Sequence, residues 1–253
     1  MTLARTVSIL APAFNEERNL EGAVLDAVDA AADLDDYEII IVDDGSTDGT
    51  AAIADRLVAE LPKVRVVHHP TNLGMGAAYC TALEHARMEY FTFTGGDREL
   101  HRESLRDILN SIGKATIVVP YHGTPGRRQL HRRLLTWIST TQLNLMFGLK
   151  LKYFQGPAVY PTRLARMLPA TSTGFYFATE RLVHAVFAGH SWVEVPLRHQ
   201  QRVSGRSKAV SLTNIWRAEW VIMRLWWRLR VKGDLAVPRV RPKPVEIVAE
   251  AVE

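Results

Sequence analysis

The chain has 253 residues, 47% of them hydrophobic, which is enough to bury the core of one large domain. Its single cysteine, Cys80, excludes an internal disulfide and fits a reducing compartment. The sequence contains neither a run of roughly 20 apolar residues that could cross a bilayer nor a secretory signal pattern, so we expect a cytoplasmic protein.

The net charge of +4 is divided unevenly along the chain. Residues 1–100 carry 7 Lys and Arg against 18 Asp and Glu, whereas residues 101–253 carry 24 against 9. An acidic half suits a divalent cation and hydroxyl-rich ligands, and a basic half suits phosphates or an anionic surface. Solvated surface alone would give the same asymmetry. We predict no nucleic-acid partner.

The first 120 residues alternate β-rich runs with helical patterns. Strands are predicted at Val7–Leu10, Glu38–Val42, Val64–His68, Tyr90–Thr94 and Thr116–Val119. Helices, with apolar spacing near 3.6, are predicted at Glu16–Ala32, Thr50–Glu60, Gly76–Arg87 and Arg102–Ser111. This alternation predicts an α/β fold with a mostly parallel sheet that is covered on both faces. Ligands of such sheets bind beyond the carboxyl ends of the strands.

From about Gly123 the alternation stops. The predicted elements are a long helix opened by Arg127, Arg128, Arg132 and Arg133, a short strand near Ala158–Tyr160, a helix around Thr179–Ala188, a strand at Trp192–Val195 and a helix at Ser211–Lys232. The uncharged run Leu134–Leu149 is expected to pack on protein. Arg198–Ala209 is predicted to be a loop, and the proline-bearing tail from Gly233 is predicted to be disordered.

Two strand ends carry acidic and glycine-rich motifs. Pro12-Ala13-Phe14-Asn15-Glu16 follows the first strand, and Val42-Asp43-Asp44-Gly45-Ser46-Thr47-Asp48-Gly49-Thr50 ends the second. A capped turn explains Asp48. It explains the adjacent Asp43 and Asp44 poorly, because neighbouring carboxylates repel without a partner. Hydrogen bonds from a nucleobase imide or a ribose would supply that partner.

Together with Asn72-Leu73-Gly74-Met75-Gly76-Ala77-Ala78, these motifs resemble those of family 2 glycosyltransferases of the GT-A fold. The likeness is closest to the dolichol- or polyprenyl-phosphate mannose and glucose synthases, and it covers residues 6 to about 210. It implies a nucleotide-sugar donor, GDP- or UDP-hexose. The residues that would line the donor site by this resemblance are Pro12, Phe14, Glu16, Asp43, Asp44, Gly74, Gly95, Gly96 and Asp97.

The strand end Gly95-Gly96-Asp97-Arg98-Glu99 departs from the family pattern. The family usually carries Asp-x-Asp, often followed two residues later by Gln, to hold Mg²⁺ or Mn²⁺ on the diphosphate. Here Gly95 stands at the first Asp and Glu99 at the Gln. Because substrate phosphates supply further oxygen ligands, Asp97 and Glu99 are expected to hold the metal. The alternatives are an ordinary glycine turn, or metal binding lost with Arg98 neutralising the diphosphate.

The basic half supplies the predicted acceptor site. Arg128, Arg132 and Thr136 are spaced four residues apart on one helical face and resemble the family's acceptor-phosphate element, which implies a polyprenyl or other lipid phosphate. The arginines could equally form a solvated face. The family more often has an Arg at His122 and an Asp near Lys152. A lipid acceptor with a hydroxyl therefore remains an alternative. A non-catalytic nucleotide-sugar-binding protein is another, because Gly95 stands at the first Asp of the metal motif.

The segment Arg202-x-x-Gly205-x-Ser207-Lys208 resembles a mobile loop of the family that closes over the nucleotide. With Asp97 and Arg132, its Arg202 and Lys208 are the predicted catalytic residues. The same segment could be an idle linker. Glu180 is assigned a supporting role. A lipid phosphate is already anionic, so it would attack the sugar C1 without a general base and invert the anomeric centre.

The helix Ser211–Lys232 combines Trp and Arg residues with an apolar face, which is typical of a helix in the headgroup region of a membrane. Docking on its own domain or on a second copy is the alternative, and it leaves a homo-oligomer possible. The predicted domains are residues 1–210 for the glycosyltransferase, 211–232 for the interfacial helix and 233–253 for the tail. The protein is expected to be peripheral on the cytoplasmic face of the membrane.

Overall fold

The computed structural model describes residues 4–95, 98, 100–123, 130–169, 171, 174, 176–197 and 212–238, with the backbone alone for 130–132 and 212–218. The strands are β1 Thr6–Ala13, β2 Asp36–Asp43, β3 Val64–His68, β4 Tyr90–Phe93, β5 Ile117–His122, β6 Tyr160–Pro161 and β7 Trp192–Leu197. The helices are α1 Leu20–Ala30, α2 Thr50–Glu60, α3 Met75–His85, α4 Arg102–Asn110, α5 Leu130–Phe147, α6 Thr162–Met167, α7 Phe177–Phe187 and α8 Leu212–Trp226. A π-helical turn, Trp227–Val231, follows α8.

The carboxyl ends of most strands lie at one edge of the sheet, and the predicted motifs follow these strand ends. Five strands pair in the order β3-β2-β1-β4-β6, and all of these pairings are parallel except that of β4 with β6. β5 and β7 form a parallel pair, which an antiparallel bridge between Val118 and Val159 joins to the β6 side. β1 to β5 and β7 therefore all end at the same edge, which we call the carboxyl edge.

Hydrophobic side chains cover both faces of the sheet, because alternate residues of a strand point to opposite sides. Leu10 and Ile40 belong to a core cluster that includes residues of α3, α5, α7 and α8. Ile9 and Ile41 belong to a second cluster with residues of α1, α2 and α4. The predicted α/β fold with a mostly parallel, doubly covered sheet is confirmed.

The C-terminal part of the described chain differs from the prediction. Ile222, Leu225 and Leu229 are buried in the same core cluster as the sheet, so α8 is part of the domain and not an element set apart from it. Val237 is buried and Leu235 packs on the same cluster. These residues are therefore ordered where a disordered tail was predicted, because their apolar side chains complete this core.

Within the described residues, no helix combines the length and the apolar character that are needed to cross a bilayer. The expectation that the run Leu134–Leu149 packs on protein holds for only one side of α5. Leu143 and Phe147 are buried. Trp137 and Leu145 are 65% and 79% exposed, so the other side of the helix is apolar and uncovered.

The turn after β2 requires glycine. Gly45 has φ +73°, and a Cβ atom on it would lie 2.5 Å from the carbonyl carbon of Thr71. Gly113 also has a positive φ, +93°, but nothing lies within 4 Å of its Cβ position. Any other residue at either position would be strained by the left-handed backbone. An added Cβ atom would clash at Gly45 and not at Gly113.

We therefore predict that Gly45→Ala lowers the free energy of unfolding by more than Gly113→Ala does. The left-handed conformation costs about 1–2 kcal/mol in both variants. The clash at Gly45 adds about 1–3 kcal/mol, because backbone atoms must move. Urea unfolding of the two variants measures the difference, and equal losses would contradict this account of the turn.

Candidate active site

The loops that follow β1 and β2 are hydrogen-bonded to each other. The backbone N–H of Asn15 donates to Ser46 Oγ (3.0 Å), and the N–H of Thr47 donates back to Asn15 Oδ1 (2.8 Å). The N–H of Glu16 donates to Thr50 Oγ1 (2.8 Å) at the start of α2. Because β1 and β2 are paired up to Ala13 and Asp43, the two predicted motifs form a single rigid unit at the carboxyl edge.

Asp43 is buried at the end of β2. Its Oδ1 accepts a hydrogen bond from the N–H of Ser46 (3.1 Å), and its Oδ2 lies 2.9 Å from His68 Nδ1. Burial pushes the pKa of Asp43 upwards, but the hydrogen bonds from Ser46 and His68 outweigh it and lower the pKa overall. The hydrogen bond to Asp43, with a second to Asp55, raises the pKa of His68 despite its partial burial.

Asp44 holds the loop that leads into α3. Its Oδ1 accepts from the N–H of Leu73 (2.9 Å) and lies 2.7 Å from His69 Nδ1, and its Oδ2 accepts from the N–H of Gly74 (2.8 Å). The other ring nitrogen of His69 lies 2.9 Å from Thr81 Oγ1 on α3. One carboxylate therefore fixes the end of β2, the end of β3 and the start of α3.

Asp43 and Asp44 do not require a ligand as their partner, and their place in the donor site stays a prediction. Two histidines and three backbone N–H groups supply the partners from within the protein. His68 and His69 therefore have a structural role at this edge. The signal was present in the sequence, because both histidines stand at the end of the strand that pairs with β2, and Asp43 is in register with His68.

The surface above these carboxylates combines apolar and hydrogen-bonding groups. Phe14 and Leu73 are 37% and 48% exposed. Gly74 has φ +92° and precedes the first turn of α3, whose backbone N–H groups begin at this edge. A helix N-terminus attracts anions, and an exposed aromatic ring can stack on a base. Glu16 accepts a hydrogen bond from Asn19 (2.7 Å) beside the same loop, and Pro12 is partly buried in β1.

The strand end of β4 is described only in part. The N–H of Thr94 donates to the carbonyl of Leu10 (2.8 Å), and the N–H of Arg98 donates to the carbonyl of Gly95 (3.2 Å). Gly96, Asp97 and Glu99 lie outside the described residues. Within the described residues, no group of three or more His, Cys, Asp or Glu side chains is placed to hold a metal ion.

The alternative in which Arg98 neutralises a diphosphate is not supported. Its guanidinium forms a two-pronged pair with Asp26 of α1, with Nε–Oδ2 and Nη2–Oδ1 distances of 2.6 and 3.2 Å. This pair compensates the charge of Arg98 on the flank of the sheet. It also raises the pKa of Arg98.

The structure describes only some of the predicted basic residues. Arg128, Arg202 and Lys208 lie outside the described residues. Arg132 is in the first turn of α5 with its backbone alone described, and Thr136 is half-buried one turn further on. Glu180 is buried on α7 and accepts hydrogen bonds from the N–H (2.9 Å) and hydroxyl (2.6 Å) of Thr171.

A mostly parallel α/β sheet with acidic and glycine-rich loops at its carboxyl edge is the architecture of GT-A glycosyltransferases. A glucosyl-3-phosphoglycerate synthase of Mycobacterium tuberculosis, solved with Mn²⁺, uridine-diphosphate-glucose and phosphoglyceric acid, has a similar fold. Its TM-score is 0.61 at 21% identity, over 88% of this chain and 79% of that chain.

The sequence comparisons agree with this class. The model of glycosyl transferase family 2 matches residues 8–168. An undecaprenyl-phosphate mannosyltransferase of Micrococcus luteus is 26% identical over 91% of this chain and all of its own length. A polyprenol monophosphomannose synthase of Mycolicibacterium smegmatis is 30% identical over 94% of this chain and 92% of its own. The chain belongs to glycosyl transferase family 2 and is a glycosyltransferase, as its motifs predicted.

The His68–Asp43 pair predicts a pH-dependent stability. The raised pKa of His68 means that its contribution is complete below about pH 6.5 and is lost as the pH rises through the folded-state value. The lowered pKa of Asp43 means that its contribution is complete above about pH 3.8 and is lost as the pH falls through its folded-state value.

The stability difference between wild type and His68→Gln is therefore expected to be larger at pH 5.5 than at pH 8.5 in urea unfolding. The exposed His85→Gln is the control, and a difference independent of pH would contradict the pairing.

Proposed function

We propose that the protein transfers a hexose, with inversion, from a nucleotide diphosphate sugar to a polyprenyl phosphate at a membrane surface. The observation that carries the proposal is the carboxyl edge. There Asp44 holds the N-terminus of α3 beside the strand end that leads to Asp97 and Glu99. The names of the Micrococcus and Mycolicibacterium relatives support a mannosyl donor and a polyprenyl-phosphate acceptor.

The donor nucleoside is proposed to bind over the loops after β1 and β2. The exposed ring of Phe14 offers a stacking surface for the base. Asp44 Oδ2 accepts one hydrogen bond from Gly74, and a carboxylate oxygen can accept a second from an imide or a ribose hydroxyl. Pro12 and Glu16 would complete this side of the pocket.

The diphosphate is proposed to bind at the end of β4, with Mg²⁺ or Mn²⁺ held by Asp97 and Glu99. Carboxylate oxygens are the ligands that these hard cations prefer, and substrate phosphates complete the coordination. When bound, the metal neutralises charge on the leaving diphosphate. The glycines Gly95 and Gly96 let the chain approach the phosphates closely.

The acceptor is proposed to be gripped by Arg128 and Arg132, with Thr136 on the next turn of α5. An anionic phosphate oxygen attacks C1 of the sugar, and the bond from C1 to the diphosphate oxygen breaks. Arg202 and Lys208 would stabilise the negative charge of the departing nucleotide. No proton has to be removed from the nucleophile, so this reaction needs no general base.

Membrane attachment is proposed for an α5/α8 surface, made of the exposed residues Leu134, Trp137, Ile138, Leu145, Trp220, Met223 and Trp227. The two helices meet where Gln142 Nε2 donates to Glu219 Oε2 (2.7 Å). Positions four residues apart share a helix side, so Met223 on α8 and Trp227 at the start of the π-helical turn continue from this contact. Arg224 lies over the Trp220 ring at 5.4 Å. Trp beside Arg suits a headgroup layer on the cytoplasmic side.

The first experiment is a thermal-shift panel with GDP-mannose and UDP-glucose, with and without Mn²⁺, followed by an assay for nucleoside diphosphate release with undecaprenyl phosphate. One donor is expected to raise the melting temperature, and its turnover is expected to require the lipid phosphate.

Asp97→Asn is expected to lower turnover about 100-fold, because stabilisation of the leaving group is lost. Asp33→Asn, an exposed carboxylate at the opposite edge of the sheet, is the control. Indifference to every nucleotide sugar would refute the proposal.

The membrane proposal is tested by sedimentation with anionic vesicles. Trp137→Gln and Trp227→Gln together are expected to weaken vesicle binding at least about tenfold, because buried aromatic area is lost. Leu25→Gln removes an exposed apolar residue of α1 and is expected to change nothing. A dimer in solution that the same double substitution dissociates, with no vesicle binding, would instead assign the surface to a second copy.

A further inference from the structure

A lysine is held in place beside β5 and β7. The backbone N–H of Lys152 donates to Glu194 Oε1 (2.7 Å), and its ammonium Nζ lies 3.7 Å from Glu194 Oε2. The same ammonium lies over the ring of Tyr121, 4.1 Å from the ring centroid. One carboxylate and one aromatic face therefore fix both ends of this side chain, although 58% of it is exposed.

The segment that carries Lys152 packs on both β5 and β4. Gly156 lies so close to β5 that a Cβ atom on it would be 2.8 Å from Pro120 Cγ. The carbonyl of Pro157 accepts a hydrogen bond from Thr92 Oγ1 of β4 (3.1 Å). The Tyr121 ring, which the ammonium covers, belongs to the fifth of the six residues of β5. Lys152 therefore lies near the carboxyl end of β5, and β6 separates β5 from β4.

The ammonium keeps hydrogen-bonding capacity for a ligand. It has three N–H donors, and its distance of 3.7 Å from Glu194 Oε2 is longer than a normal hydrogen bond. The face of the Tyr121 ring attracts the positive charge but does not accept a conventional hydrogen bond. Within the described residues, the lysine is thus oriented by its neighbours and not saturated by them.

We propose that Lys152 binds the phosphate of the lipid acceptor and makes the site selective for an anionic acceptor over a hydroxyl acceptor; this rests on the proposed function. A carboxylate at this place could take a proton from a hydroxyl nucleophile. The ammonium attracts a nucleophile that is already an anion and holds it opposite the leaving diphosphate. In the transfer, a phosphate oxygen bonds to C1, the bond from C1 to the donor diphosphate breaks, and the electron pair leaves with the nucleotide.

The test is titration calorimetry of the full chain with farnesyl phosphate, farnesol and inorganic phosphate. Lys152→Gln keeps a polar side chain, one atom shorter, and the backbone hydrogen bond to Glu194, and it removes the charge. It is expected to weaken farnesyl phosphate binding about 10- to 100-fold, because a charged hydrogen bond is lost, and to leave farnesol binding unchanged. Lys152→Arg is expected to retain most of the affinity. Lys150→Gln makes the same charge change at an exposed position two residues away and is the control.

Each contrary outcome is informative. Equal farnesyl phosphate binding by wild type and Lys152→Gln would overturn the assignment. It would also be overturned if the wild-type protein bound farnesol as tightly as farnesyl phosphate, or bound neither compound. Inorganic phosphate that binds as tightly as farnesyl phosphate would assign Lys152 to a free anion and overturn the lipid assignment. Donor binding, measured separately by thermal shift, is expected to be unchanged in Lys152→Gln. Failure of wild type to bind any nucleotide sugar would count against the proposed function and not against Lys152.

Discussion

The carboxylate of Asp44 accepts hydrogen bonds from Leu73 and Gly74 while it faces His69, and the position of α3 depends on these contacts. Removing the carboxylate would take away the partner of two backbone N–H groups and of His69 Nδ1, and only Nε2 of that ring would keep its contact, with Thr81. Each unpaired buried group costs about 1–3 kcal/mol. This side of the carboxyl edge is thus held in place by contacts within the protein, which would lower the ordering cost for a ligand that binds there.

The two halves of the chain, which differ in charge, lie on different sides of the sheet. The acidic first half of the chain forms β1 to β4 and the loops around Asp43 and Asp44, which suits a metal and a sugar nucleotide. The basic second half supplies α5 and the segment around Lys152, on the side of β5 and β7. The charge asymmetry that the sequence left undecided therefore follows the spatial division of the carboxyl edge.

Much of the fold could be predicted from the sequence, because strand and helix patterns with strand-end motifs are local signals. β3 matches its predicted bounds, and α2 does as well. The partners of Asp43 and Asp44 were missed, since they come from the neighbouring strand 25 residues along the chain. α6 was missed because six residues carry little periodicity. For α8, periodicity showed an amphipathic helix, but it could not show that Ile222 and Leu225 complete the core.

The packing of α8 in the core limits which variants of the protein would be more soluble. Its inner face, with Ile222, Leu225 and Leu229, shares a core cluster with Phe147 and Phe177. Cutting the chain before α8 would bare these aromatic rings to water, so a shortened version would tend to aggregate. A more soluble version would instead keep the helix and exchange only the outward tryptophans for polar residues.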